Sequence, residues 1–141
     1  MKIEEYISTS EEETKKIAED FSKKIKTGDV VVLNGLLGSG KTFFVKKVAE
    51  FFNLSNSSSP TFAIVNEYQG KIKIFHLDFY RINSIEELYD IGITDYLTDS
   101  TSVVFIEWGE LFEEVLPKSR YEISFSINED DSRKIIINKY E

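Results

Sequence analysis

Hydrophobic positions along the chain change their spacing several times, and each change marks an element. Ile17, Ala18, Phe21 and Ile25 recur at helical spacing behind Ser10-Glu11-Glu12-Glu13, a capping-box string, until Thr27-Gly28 stops the run. Asp29 to Asn34 is nearly continuous in apolar residues, as a strand covered on both faces must be. From Lys41 to about Phe52 the period is helical again, with Phe44, Val48 and Phe51 on the apolar side.

Further on, Asn53 to Ser59 is a polar, serine-rich connector, and Pro60 opens a strand over Thr61 to Tyr68. After the turn Gln69-Gly70, Lys71 to Tyr80 forms a second strand, so the two are expected as a hairpin. Ser84 caps a short helix through Glu86, Glu87 and Leu88 that closes near Gly92. Ser102 to Ile106 is another buried strand, ending in Glu107-Trp108-Gly109 before a short helix over Leu111 to Val115. Tyr121 to Ile127 and Lys134 to Tyr140 are the last strands, parted by turn residues.

Composition narrows the class. A length of 141 residues fits a single domain, 1–141, able to bury roughly two thirds of its unfolded surface. The chain has no cysteine, hence no disulfide framework, and it opens on charged residues rather than a signal peptide, which points to a reducing cytoplasm. Its apolar runs fall far short of the ~20 residues a membrane helix needs. With 25 acidic against 17 basic residues the net charge is −8, which opposes direct attraction to nucleic-acid phosphates.

The strongest chemical signal is Gly35-Leu36-Leu37-Gly38-Ser39-Gly40-Lys41-Thr42, a complete G-x-x-x-x-G-K-[ST] string set between a strand and a helix. In that setting consecutive N–H groups converge as an anion nest, and the helix dipole adds to it. Lys41 supplies charge to the β- and γ-phosphates, and the Thr42 hydroxyl is placed to ligate Mg²⁺. Such a site needs a carboxylate at the C-terminal end of a neighbouring strand. Asp78 follows Ile74-Phe75-His76-Leu77 and Glu107 follows Val103-Val104-Phe105-Ile106, and periodicity does not choose between them. Thr61 sits where a switch hydroxyl could sense the γ-phosphate, and Arg81 could neutralise phosphate charge. His76, the single histidine, reads most simply as a satisfied core residue.

Besides the loop, Ser59-Pro60-Thr61-Phe62, His76-Leu77-Asp78-Phe79-Tyr80-Arg81, Glu86-Glu87-Leu88 with Gly92, and Ile106-Glu107-Trp108 stand in series. In order and spacing they resemble the TsaE (YjeE) family of small bacterial ATPases across essentially the whole chain. The resemblance implies a three-layer α/β P-loop NTPase fold with a mixed, mainly parallel central sheet. It also implies an ATPase that supports the threonylcarbamoyladenosine modification of tRNA, using ATP and Mg²⁺. That protein acts on the TsaB–TsaD heterodimer and meets tRNA only through the complex. Carried over by position, Leu37, Gly38, Ser39, Gly40, Lys41 and Thr42 hold the phosphates, and Thr42 with Glu107 holds Mg²⁺. Asp78 becomes the residue that orients or activates the attacking water and Thr61 the switch, and Lys41 counts with them as catalytic. Thr9 or Ser10 and Arg133 match the positions that contact the base. Leu36, Ser39 and Gly109 depart from the family pattern, which usually has a polar residue, Ala and Pro at those places.

Other uses of the loop fit less well. A small P-loop kinase adds a lid rich in arginine, whereas this chain has Arg81, Arg120 and Arg133. A GTPase requires D-x-x-G, and Asp78-Phe79-Tyr80-Arg81 lacks the glycine. A nucleotide-gated binding module without catalysis shares every feature of the loop.

Overall fold

The computed structural model describes residues 3–56 and 64–141. Among them the strands are β1 (Ile3–Ser8), β2 (Val30–Asn34), β3 (Ser55–Asn56), β4 (Val65–Gln69), β5 (Lys73–Asp78), β6 (Ser102–Glu107), β7 (Arg120–Ile127) and β8 (Arg133–Tyr140). The helices are α1 (Glu11–Ser22), α2 (Lys41–Phe51), α3 (Ile85–Asp90) and α4 (Ile93–Thr98), with 3-10 turns at Phe79–Arg81 and Gly109–Val115. The strands form one sheet in the order β1-β8-β7-β2-β6-β5-β4-β3. Its central strands β7, β2, β6 and β5 are parallel, and the outer pairs are antiparallel.

Burial on both faces explains the apolar runs. Val31 and Leu33 of β2 and Val103 and Phe105 of β6 face α1 and α2, where they meet Phe21, Phe44 and Val48. Val30, Val104 and Ile106 face the other way, against Leu88 of α3, Ile93 of α4 and Phe79. Helices on both sides of the sheet make three layers, in agreement with the expected fold class. Phe44 has no exposed surface and sets its ring against Phe21 at 5.8 Å and Phe125 at 5.5 Å, tying α2 to α1 and β7.

The boundaries differ from the sequence reading in ways that have causes. α1 ends at Ser22 although the apolar spacing runs to Ile25, because Ile25 stays buried after the helix has stopped. Ser10 caps α1 by accepting the Glu13 N–H at 3.1 Å, but the Glu13 carboxylate reaches one residue farther back than a capping box requires, to the Thr9 N–H and hydroxyl. Gly92 lies just beyond α3 and also opens α4, a helix the sequence reading lacks, with φ +85. The expected hairpin is present, with Val65 opposite Leu77, while β3 occupies part of the polar connector. β1, also unforeseen, pairs with β8. None of the described helices is long and apolar enough to cross a membrane.

Phe44→Ala is expected to cost about 3–5 kcal/mol, the range for removing a buried aromatic ring, measured as a lowered midpoint in urea unfolding. A loss below about 1 kcal/mol would show that the α2 contact is not central to the core.

Candidate functional site

β2 delivers the chain to the C-terminal edge of the parallel strands, where two glycines shape the turn. Gly35 has φ +149, and a Cβ there would lie 2.7 Å from the Phe125 carbonyl oxygen and 2.8 Å from Ser39 Oγ, so only glycine fits. Gly40 is the N-cap of α2 in the left-handed region and carries no side-chain cap. The first N–H groups of α2 are therefore free of a capping oxygen, the arrangement that accepts an anion. A Cβ on Gly40 would stand 3.2 Å from a guanidinium nitrogen of Arg133, which borders the loop from β8.

At the floor of this turn lies a buried charge cluster. The Lys41 ammonium, 3 % exposed as a side chain, donates to the Gly35 carbonyl at 2.5 Å and sits 3.8 Å from Glu107 Oε1. It also lies 4.2 Å from the centre of the Trp108 ring, a cation–π contact. Glu107, at the end of β6 beside β2, accepts the Thr42 hydroxyl on Oε2 at 2.9 Å. His76 Nε2 meets the same oxygen at 2.5 Å. Burial pushes the Glu107 carboxyl up, but His76, the Thr42 hydroxyl and the Lys41 charge outweigh it and hold the group below its ordinary range.

The residues singled out from the sequence distribute unevenly around this cluster. Thr9, Ser10, Leu37, Gly38, Ser39, Gly40, Lys41, Thr42, Glu107 and Arg133 all line one cavity of about 520 Å³, a size ordinary for small-molecule sites. Thr9 and Ser10 are also engaged with Glu13 at the start of α1. Asp78 pairs in register with Glu107, yet it is not among the lining residues, and its Oδ1 accepts the Tyr80 N–H at 2.9 Å. Arg81, at the end of the 3-10 turn, is exposed and likewise lies outside the lining. Thr61 lies outside the described residues. Ser8, Thr14, Phe125 and Asp131 are among the further wall residues that were not foreseen, because they depend on β1 and on the sheet order.

Two features fit this cavity to a Mg²⁺-polyphosphate. The uncapped turn at Gly40 supplies N–H donors, and the Thr42 hydroxyl beside the Glu107 carboxylate is a hard oxygen pair of the kind Mg²⁺ takes. Among the described residues no three His, Asp or Glu side chains converge as a cage, and Mg²⁺ bound partly through phosphates needs none.

Strand, glycine turn and helix at the C-terminal edge of a three-layer sheet define an α/β protein of the P-loop NTPase fold. Comparison with known proteins gives the family. The family model for "Threonylcarbamoyl adenosine biosynthesis protein TsaE" matches residues 8–135. The tRNA threonylcarbamoyladenosine biosynthesis protein TsaE of Rickettsia bellii is 39% identical over 138 residues, covering 95% of this chain and 94% of its own. That of Bacillus subtilis is 38% identical over 147 residues, covering 100% and 91%. A crystal structure of Bacillus subtilis YdiB superposes with a TM-score of 0.82 at 33% identity, over 99% of this chain and 87% of that one. The chain belongs to the TsaE family of tRNA threonylcarbamoyladenosine biosynthesis proteins, and that membership implies nucleotide binding.

Because the Glu107 pKa is depressed on folding, the stability it contributes is full above its unfolded value and is lost as pH falls through the lower folded value. Glu107→Gln, which has nothing to titrate, should therefore close its stability gap to the wild type as pH falls through the ordinary carboxylate range and below it. Urea unfolding across that window tests this, and parallel decline of both proteins would contradict it.

Proposed function

We propose that this protein is a Mg²⁺-dependent ATPase of the cytoplasm whose turnover serves tRNA threonylcarbamoyladenosine formation by acting on the TsaB–TsaD heterodimer, with tRNA met only through that complex. We read residues 1–141 as one P-loop ATPase domain. The observation that carries the reading is the convergence of the uncapped loop, Lys41, Thr42 and Glu107 on one cavity.

In this reading the loop N–H groups from Leu37 to Thr42 receive the phosphates. Lys41 turns from the Gly35 carbonyl toward them, a short move for a flexible ammonium. Thr42 and Glu107 would hold Mg²⁺, which when bound would neutralise charge building on the phosphate oxygens. Arg133 and the Thr9-Ser10 pair line the same cavity, and we assign the base to them. Asp78 orients the attacking water and Thr61 senses the γ-phosphate.

A second reading, a nucleotide-gated module without catalysis, draws support from Asp78. One oxygen of its carboxylate caps the 3-10 turn Phe79–Arg81 and the residue does not line the cavity, so a water-positioning role requires Asp78 and the phosphates to come closer together. We assign that approach to the partner complex, which makes turnover slow for the protein alone.

Hydrolysis assays with and without purified TsaB–TsaD separate the two readings. ATP cleavage stimulated by the heterodimer is expected, and ATP-dependent docking with no cleavage in either condition would sink the enzyme reading. Lys41→Ala should weaken ATP binding about ten- to hundredfold, the scale of a lost charged hydrogen bond. Asp78→Ala should keep wild-type affinity and abolish tRNA modification in a reconstituted system.

A further inference from the structure

His76 has a role that a merely satisfied core histidine would not have. Its ring and the Glu107 side chain are both buried, each residue about 5 % exposed. In the β5–β6 register His76 lies opposite Phe105, two residues before Glu107, and alternation along the strands puts His76 and Glu107 on the face covered by α2. That face carries Thr42. The result is that Glu107 Oε2 accepts from two sides, the Thr42 hydroxyl at 2.9 Å and His76 Nε2 at 2.5 Å.

We propose that His76 is a positioning residue for the Mg²⁺ carboxylate, a role that rests on the Mg-ATP reading above. With Oε2 pinned between two donors, the carboxylate cannot rotate about its last bond without breaking one of them. Oε1, on the side of Lys41, is left as the oxygen that serves the ion or a water upon it. Nε2 donates in the neutral ring that carries its proton there and equally in the charged ring, so the arrangement does not depend on the protonation state. Partners that orient a metal ligand in this way typically govern about 10–100-fold in metal affinity. Strand β5 is thereby tied to the ion although none of its residues lines the cavity.

The test is the Mg²⁺ dependence of binding of a fluorescent ATP analogue, mant-ATP, to the full chain. The proteins compared are the wild type, His76→Leu, which fills the space without a donor, and His76→Gln, whose amide nitrogen stands near the place of Nε2. In EDTA the three should bind mant-ATP with the same Kd. In a Mg²⁺ titration the midpoint of the affinity gain should rise about 10–100-fold for His76→Leu and return close to wild type for His76→Gln. If His76→Leu does not fold, His76→Asn, too short to reach Oε2, takes its place.

An unchanged Mg²⁺ midpoint in the folded donorless variant overturns the proposal. Equal weakening with and without Mg²⁺, unrepaired by Gln, also overturns it and leaves His76 a packing residue. A wild-type affinity indifferent to Mg²⁺ is a different failure, since it removes the Mg-ATP reading on which the proposal stands.

Discussion

A carboxylate removed from water is costly unless charge and hydrogen bonds replace its hydration, and Glu107 is the place where this chain meets that requirement. It sits at the end of β6 and takes donors from α2 and β5, with the ammonium of Lys41 nearby. Three elements are thus held in one relation by a single side chain. The glycine turn can stay open above them because the groups beneath it are already satisfied by one another. Lys41, buried as deeply as an apolar residue, depends on the same cluster together with the Gly35 carbonyl and the Trp108 ring.

Much of this was readable in the chain because the central elements have strong periods. Val30 to Leu33 and Val103 to Ile106 are apolar at every position since both faces are covered, and that pattern is hard to mistake. The glycine loop was legible for a different reason, namely that its glycines answer local demands, shown by the crowding at Gly35. β1 was not legible. Ile3-Glu4-Glu5-Tyr6-Ile7-Ser8 breaks strict alternation, and its strand state depends on pairing with β8, over a hundred residues away. α3 and α4, six residues each, are too short for periodicity, so their existence rested on caps, and one of two caps was read. The difference in placement between Asp78 and Glu107 was equally beyond spacing. It follows from strand order, since β6 lies between β2 and β5 and so sets Glu107 beside the loop and Asp78 one strand farther out.

The departures from the family pattern take on physical meaning in this setting. Ser39 Oγ is buried without a hydrogen bond among the described residues, so its hydroxyl gains nothing that the family's usual methyl would lack. Gly109 packs closely, since a Cβ there would fall 2.9 Å from Val32 Cγ1. Leu36 and Leu37 at the tip of the loop are 77% and 73% exposed, while Tyr80, 58% exposed, sets its ring at a tilt of 44° to that of Trp108. Leu37 therefore stands in water on the wall of the cavity that holds Lys41 and Glu107.

The contact between Lys41 and Trp108 has a further consequence. The chain contains one tryptophan, and the ammonium resting on its face is the one that, in the reading proposed above, turns toward the phosphates. Indole emission responds to a cation resting on the ring, so on that reading the filling of the loop would be translated into light without any added dye. The side chain that balances the buried lysine would then serve also as an optical gauge of occupancy.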